Sequence, residues 1–288
     1  MAAVLLACAA GVLYGAVAVT LRLGLARYGD AHVGALASIV VAFAVCAVAA
    51  GVAADAPGDL GDVWPYLVGG TLAPGISQLL FVLAVREIGS SRTGVVAGAA
   101  PLLSGLLAIV FLDEPVRAAL VAGTVLIVLG GGLLTGERGR PAHFRAIGIL
   151  LALVSAFVFG VRDNVVRWAA GDTDMPPLFG AAVVLGAGAV VLAAYLLAAR
   201  GPALGRDLRQ AVRPFLLSGL LFGAAYACIF EAFERGKVTV VSPLVGTESL
   251  WAVALAALVL GRSEMIGRRV AAAGVLVVAG GALVGSWR

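Results

Sequence analysis

Ten long apolar stretches divide the chain, and they limit its fold more than any other feature of the sequence. An α-helix of roughly 20 apolar residues, rising 1.5 Å per residue, crosses the roughly 30 Å hydrocarbon core of a bilayer. Barrel strands would instead alternate apolar and polar residues over about 10 positions. The sequence therefore predicts an all-α membrane protein with ten transmembrane helices. Their predicted limits are Ala2–Leu25, His32–Val52, Trp64–Val85, Thr93–Leu112, Ala118–Thr135, Ala146–Ala169, Pro177–Ala199, Pro214–Phe233, Val238–Leu260 and Val270–Gly285.

Composition and motifs argue against several other classes of protein. Of 288 residues, 62% are hydrophobic and only 12% are charged, whereas soluble domains have roughly 45–50% and 25%. The 20 basic residues are scattered singly, so no basic patch indicates nucleic acid as a partner. Neither the cysteine spacing nor any catalytic motif suggests a disulfide framework, a metal site or an enzyme. We expect the lipid bilayer as the main partner, and no cofactor apart from a coupling proton.

An internal repeat divides the chain into two halves. The first half reads Leu-Leu-Ala at 5–7, Tyr14-Gly15 and Arg22, and the second reads Leu-Leu-Ala at 150–152, Phe159-Gly160 and Arg167, a constant offset of 145. We place the repeats at residues 1–137 and 143–288, with five predicted spans in each. An odd number of spans inserts the second repeat upside down relative to the first. Inverted repeats of this kind hold the substrate site of a transporter near the midplane, between the halves.

This order of motifs resembles the ten-helix EamA-type members of the drug/metabolite transporter superfamily. The resemblance rests on the aromatic-Gly pairs, on Glu114 and Glu264 after the fourth and ninth spans, on Pro101, and on Ser242-Pro243 followed by Glu248. It implies secondary transport, commonly export, of amino acids, other small metabolites or drugs across the plasma (cytoplasmic) membrane.

The chain departs from the family's usual pattern at three positions. The family often has Trp at the position of Tyr14, Arg at that of Ser38 and Pro at that of Ser249. These departures leave the predicted fold unchanged, but they leave the subfamily and the substrate open.

Glu248 is the leading candidate for an ion or substrate ligand. It lies about ten residues into the predicted ninth span, where an ionisable side chain costs roughly 2.5–3.5 kcal/mol and so by default faces a cavity or the bundle interior. A carboxylate in such a cavity could carry a coupling proton. The alternative is a structural glutamate that joins two helices by hydrogen bonds.

Other polar residues in the spans extend the predicted cavity. Thr71, Pro74 and Gln78 share one face of the third span. In the sixth span Arg162 and Asp163 are candidates for the cavity, although we expect Asp163 to pair with Arg167 and the arginines to reach the interface. Aromatic candidates for the cavity wall are Tyr14, Tyr226 and Trp251, and the candidate hinges are Pro74, Pro101 and Pro243.

The sequence leaves open both the oligomeric state and the side of the membrane on which the termini lie. Glycine pairs four residues apart, such as Gly11 and Gly15, suit packing within a monomer or in a homodimer. Loops after odd-numbered spans hold 14 of the 20 basic residues, which predicts termini outside the cell, whereas the family resemblance implies cytoplasmic termini.

The predicted function is a transporter that moves a small polar metabolite by alternating access, with or without proton coupling. One alternative is an organophosphate or nucleotide-sugar exchanger of the same fold, which needs several basic residues in its cavity. The other is a membrane scaffold or partner subunit that transports nothing. The buried charges suit zwitterions, amines and acids alike.

Overall fold

The computed structural model describes residues 1–53, 59–100, 144–170, 173–235, 244–261 and 267–285, with single residues between 103 and 133 and at 241. Within these ranges the regular elements are all helices. The predicted fourth and fifth spans lie largely outside the described residues, as do Pro101 and Pro243.

The first half contains α1 to α5. The third predicted span is made of two helices, because a π-helical turn at Thr71–Ile76 joins α3 to α4 and a 3-10 turn at Leu60–Val63 precedes α3. The bounds are α1 Ala2–Tyr28, α2 Ala31–Ala53, α3 Trp64–Gly70, α4 Ser77–Ile88 and α5 Ser90–Ala97.

The second half contains α6 to α10. Their bounds are α6 Ile147–Ala170, α7 Pro177–Arg200, α8 Ala203–Arg235, α9 Glu248–Val259 and α10 Arg268–Gly285. Six helical runs of the described chain are long and apolar enough to cross a bilayer, namely Ala2–Tyr28, Ala31–Ala53, Gly61–Ile88, Ile147–Val166, Pro177–Arg200 and Ala203–Arg235. The structure is thus that of a multi-pass, all-helical membrane protein.

Besides the interrupted third span, the eighth and ninth predicted spans also differ from the structure. Helix α8 starts at Ala203, eleven residues before the predicted start at Pro214. The added turns form an amphipathic helix that buries Leu204 and Ala211 and exposes Arg206 and Arg209. Because one face of this segment is polar, it is not an apolar run and was not predicted as part of the span. In the ninth span, a turn at residues 246–247 interrupts the helix, and α9 begins only at Glu248.

The two halves pack on each other and do not form separate bodies. Helix α1 contacts α8 and α9 of the second half, and α6 contacts α3 and α4 of the first. The larger hydrophobic core joins α1, α2, α7 and α8 around buried side chains such as Leu21, Leu36, Leu185 and Phe215. A second core joins α4, α5, α6, α9 and α10. A space between helices of both halves is therefore also a space between the two repeats.

An ion cluster joins the two halves of the chain. Asp30, between α1 and α2, accepts from Arg200 at the end of α7 over 2.6 Å, and Arg200 also lies 3.4 Å from Asp207. Burial would raise the pKa of Asp30, but bonds from the Val33 N–H and from Arg200 lower it overall. The ends of α1 and α7 thus meet at one face of the protein.

The glycine pairs at 11 and 15 and at 219 and 223 pack against other helices of the same chain. Gly11 and Gly15 of α1 lie against residues 244–252, which include the start of α9. Gly219 and Gly223 of α8 lie against Val41, Val45 and the α2 backbone. These contacts let helices of the two halves approach closely.

Gly15→Ala is expected to destabilise the protein, because the added Cβ would lie 2.6 Å from the Trp251 Cβ and 2.7 Å from the Ala252 nitrogen. Backbone and Cβ atoms of a packed helix cannot move aside cheaply, and such overpacking typically costs about 1–3 kcal/mol. Gly51→Ala is the matched control, since nothing lies within 4 Å of its added Cβ. Thermal unfolding in detergent checks both variants. Equal melting temperatures for the two variants would contradict this packing.

Candidate functional site

A cavity of about 90 Å³ lies between helices of both halves. Five of the seven residues predicted for the binding site line it: Tyr14, Gln78, Arg162, Asp163 and Glu248. The rest of its wall is apolar and is formed by Val17, Phe81, Ala97, Ala100, Ala156, Phe159, Phe222, Ile229 and Val245. The volume is enough for a few water molecules. The sequence therefore identified most of the polar wall of the cavity and little of its apolar wall.

Among the described residues of the cavity wall, Arg162 carries the positive charge. The Arg162 guanidinium already has partners. Its Nε lies 3.1 Å from Oδ1 of Asp163, and the Arg162 side chain is only 3% exposed. Its guanidinium carbon lies 5.4 Å from the ring centroid of Phe159 and 5.0 Å from that of Tyr226, within the range of cation–π attraction. The expectation that this arginine reaches the membrane interface is therefore wrong. Asp163 pairs with its neighbour Arg162. The side chain of Arg167, its expected partner, lies outside the described residues.

Glu248 faces the cavity from a break in the ninth span. It is the first residue of α9, where the positive end of the helix dipole favours a carboxylate. Among the described residues, no hydrogen bond or ion pair engages its side chain. The structural alternative, a glutamate that joins two helices by hydrogen bonds, finds no support in this part of the chain.

The Glu248 break has a counterpart in the other half. At the end of α5, a turn at residues 98–99 is closed by a 3.0 Å bond from the Ala99 N–H to the Val96 oxygen. In the second half the Thr247 N–H bonds the Leu244 oxygen over 3.2 Å, at a spacing of 148 residues. The residues that flank the two turns, Ala97 and Ala100 in one case and Val245 and Glu248 in the other, all line the cavity.

The buried hydroxyl oxygen of Tyr14 lies at the cavity, beside the Arg162 guanidinium. Tyr226 was also predicted for the binding site, but it is fully buried and is not among the described residues that line the cavity. The Tyr14 ring makes edge contacts with Phe222 at 6.2 Å and with Tyr226 at 6.3 Å between centroids. The Tyr14 hydroxyl is therefore part of the polar wall of the cavity, whereas Tyr226 is part of the packing around it.

Gln78 is tied to a neighbouring helix as well as lining the cavity. Its Nε2 donates to the Ser38 hydroxyl over 3.2 Å, and Ser38 in turn donates to the Ala35 oxygen over 2.8 Å. The amide group of Gln78 is thereby held at the edge of the cavity by α2.

Thr71 does not share the face of Gln78 as predicted. It lines an outer groove between α2, α3 and α7 and donates to its own helix at the Leu67 oxygen. The reason is the break at Pro74, where Ala73 has extended backbone angles and the π-helical turn shifts the helical register. The predicted interruption at Pro74 is present, and its use as a hinge stays a prediction.

Trp251 does not line the cavity. Its side chain is 42% exposed on the outer surface, whereas Ser249 and Ala252 of the same helix are fully buried. The Ser249 hydroxyl donates to the Gly94 oxygen over 3.0 Å. This bond and the contact of α9 with Gly15 turn the Trp251 side chain away from the site.

Phe222, Phe81 and Ala100 line the cavity but were not named from the sequence. Aromatic and alanine residues in apolar spans carry no signal that separates a cavity wall from ordinary packing. For Ala100 a signal did exist, since the repeat aligns Gly98 with Gly246 and so places Ala100 opposite Glu248.

Comparison with known proteins gives a family and a fold. The sequence model of a protein family, described as the EamA-like transporter family, matches residues 1–136 and 146–286. A solved structure, described only as the crystal structure of a protein, has a similar fold. The alignment covers 99% of this chain and 98% of that chain, with a TM-score of 0.65 and 20% sequence identity. At that identity the likeness shows the fold alone. No curated protein matches the chain.

Proposed function

Because the chain belongs to the EamA-like transporter family, we propose that it is a secondary transporter that exports a small polar molecule across the plasma membrane. The proposed architecture is ten transmembrane helices in two inverted repeats. Rocking of one repeat against the other would open the central cavity to each side in turn.

The observation that carries this proposal is the charged cavity between the two halves. Arg162, Asp163 and Glu248 lie within apolar membrane helices at a space that both repeats enclose. Charges in such a position are costly and by default belong to a substrate or ion pathway.

Proton coupling is proposed through Glu248. An isolated carboxylate in a low-dielectric cavity has to be neutralised by a proton or by a cation. A cavity that opens to one side and then to the other lets Glu248 exchange these partners between the two solutions. Transport would then be driven by a proton gradient.

The two alternative functions have less support. An organophosphate or nucleotide-sugar exchanger needs several basic groups to neutralise phosphate, but Arg162 is the one cation among the described residues of the cavity wall, and Asp163 already pairs with it. A scaffold would place its polar residues in helix contacts, whereas Glu248 faces open space.

Flux into proteoliposomes tests the proposal. Purified protein is expected to accelerate uptake or counterflow of at least one member of a labelled panel of amines, amino acids and organic acids, compared with liposomes that lack protein. A pH gradient is expected to increase that flux. Flux equal to the protein-free background for the whole panel would favour the scaffold reading.

A further inference from the structure

We propose that the substrate is a small organic monocation, an amine or quaternary ammonium compound without a carboxylate, whose charged group pairs with Glu248. This inference rests on the proposed transport function and specifies the substrate class of its site.

The balance of charges at the cavity favours a monocation. The described residues of the cavity wall carry one cation, Arg162, and two carboxylates, Asp163 and Glu248. Arg162 and Asp163 form an ion pair at 3.1 Å, so among the described residues of the wall Glu248 carries the unbalanced charge. A monocation balances the charge of Glu248. A zwitterion leaves the net negative charge unchanged and an anion increases it, which a low-dielectric site disfavours.

Among the described residues of the cavity wall, no uncompensated cationic group accompanies Glu248. A substrate carboxylate needs a cationic or strongly donating group, and Arg162 is the cationic residue at hand. That guanidinium is 97% buried, with Asp163 at its Nε and the rings of Phe159 and Tyr226 against it. To bind a carboxylate it would have to leave or share these partners.

The chemistry of the remaining wall also favours a monocation. The hydroxyl of Tyr14 lies at the cavity, and its oxygen can accept a hydrogen bond from an ammonium N–H. The rings of Tyr14 and Phe222 offer aromatic surface, which attracts organic cations. The small volume of the cavity limits the cation to a compact molecule.

The pseudo-symmetry of the site supplies a specific test. Ala100 occupies the position in the first half that Glu248 occupies in the second, next to the equivalent helix break and on the same cavity. If the carboxylate alone recognises the cation, it should work from either position. Glu248→Ala is therefore expected to lose cation binding. The double variant, Ala100→Glu combined with Glu248→Ala, is expected to regain it. Glu248→Gln, which keeps the side-chain shape, is the second loss variant if Glu248→Ala does not fold.

The probes are matched pairs in which the zwitterion has a carboxylate that the cation lacks: ethanolamine and glycine, choline and betaine, phenethylamine and phenylalanine. Binding is measured by the thermal shift of purified protein, and transport by counterflow in proteoliposomes. In at least one pair, the cation is expected to bind about tenfold or more tightly than the zwitterion. Both loss variants are expected to abolish that difference, and the double variant to restore it.

Three results would overturn the proposal: tighter binding of a zwitterion, equal cation binding by the wild type and both loss variants, or no binding of any cation. Failure of the substrate class can be told from failure of the transport function. Counterflow of a zwitterion would refute the monocation and keep the transporter. Cation binding without any flux would keep the site and refute transport.

Discussion

Glu248→Gln is expected to reduce pH-gradient-driven flux in proteoliposomes to the level of protein-free liposomes. The amide keeps the size and shape of the side chain but can neither release a proton nor balance a cation. The measurement is the initial rate of flux with and without a pH gradient. Binding of the substrate in the absence of a gradient should also weaken, because the site loses its unbalanced charge.

Glu231→Gln is the matched control for this substitution. Glu231 lies on α8, where its carboxylate is 2.5 Å from Arg235, and it does not line the cavity. Its substitution is expected to leave flux unchanged. Gradient-driven flux that survives in Glu248→Gln would refute proton coupling at this residue, provided that the variant unfolds at the wild-type temperature.

Arg162→Met is expected to give the largest loss of stability among cavity substitutions. It removes one partner of an ion pair and leaves the Asp163 carboxylate without its cation inside the membrane bundle. Breaking a fully buried pair typically costs about 3–5 kcal/mol, whereas replacing both partners by apolar residues costs far less. Because the Asp163 side chain is 31% exposed, the loss is expected to lie below that range. Thermal unfolding in detergent measures the loss of stability for the single replacement and for the replacement of both partners.

The control is the double variant Arg162→Met with Asp163→Leu, which is expected to unfold at a higher temperature than Arg162→Met alone. This order follows because the double variant removes the Asp163 carboxylate together with its cation, so neither partner of the pair is left without the other. A single variant as stable as the wild type would contradict the ion pair as a structural element of the site.

The apolar runs predicted most described helices closely, because bilayer thickness fixes both the length and the composition of a span. Helix α7 begins at Pro177 as predicted and ends at Arg200, one residue beyond the predicted limit. The prediction failed where apolar length is not the controlling feature. The first turns of α8 are amphipathic, and the interruptions at Pro74 and before Glu248 depend on local backbone geometry and tertiary contacts.

The candidate site was predictable from the same cost argument, since polar residues within spans are few and each must be accommodated. That argument identified Glu248, Arg162 and Asp163 as charged candidates. It could not give their pairing, because Arg162 turns inward to the rings of Phe159 and Tyr226, which only the packed bundle brings together. Trp251 was misplaced because helical spacing alone does not fix the rotation of α9.

The central claim is that the cavity opens to each side of the membrane in turn, and thiol accessibility tests it most directly. Ala100→Cys is introduced after replacing Cys8, Cys46 and Cys228, and membrane-impermeant maleimide is applied from either side. Ala99→Cys is the control, because Ala99 is buried beside Ala100 and does not line the cavity. The account predicts labelling of Ala100→Cys from both sides, with substrate protecting it, and little labelling of Ala99→Cys. Labelling from one side only, whether or not substrate and a pH gradient are present, would contradict alternating access.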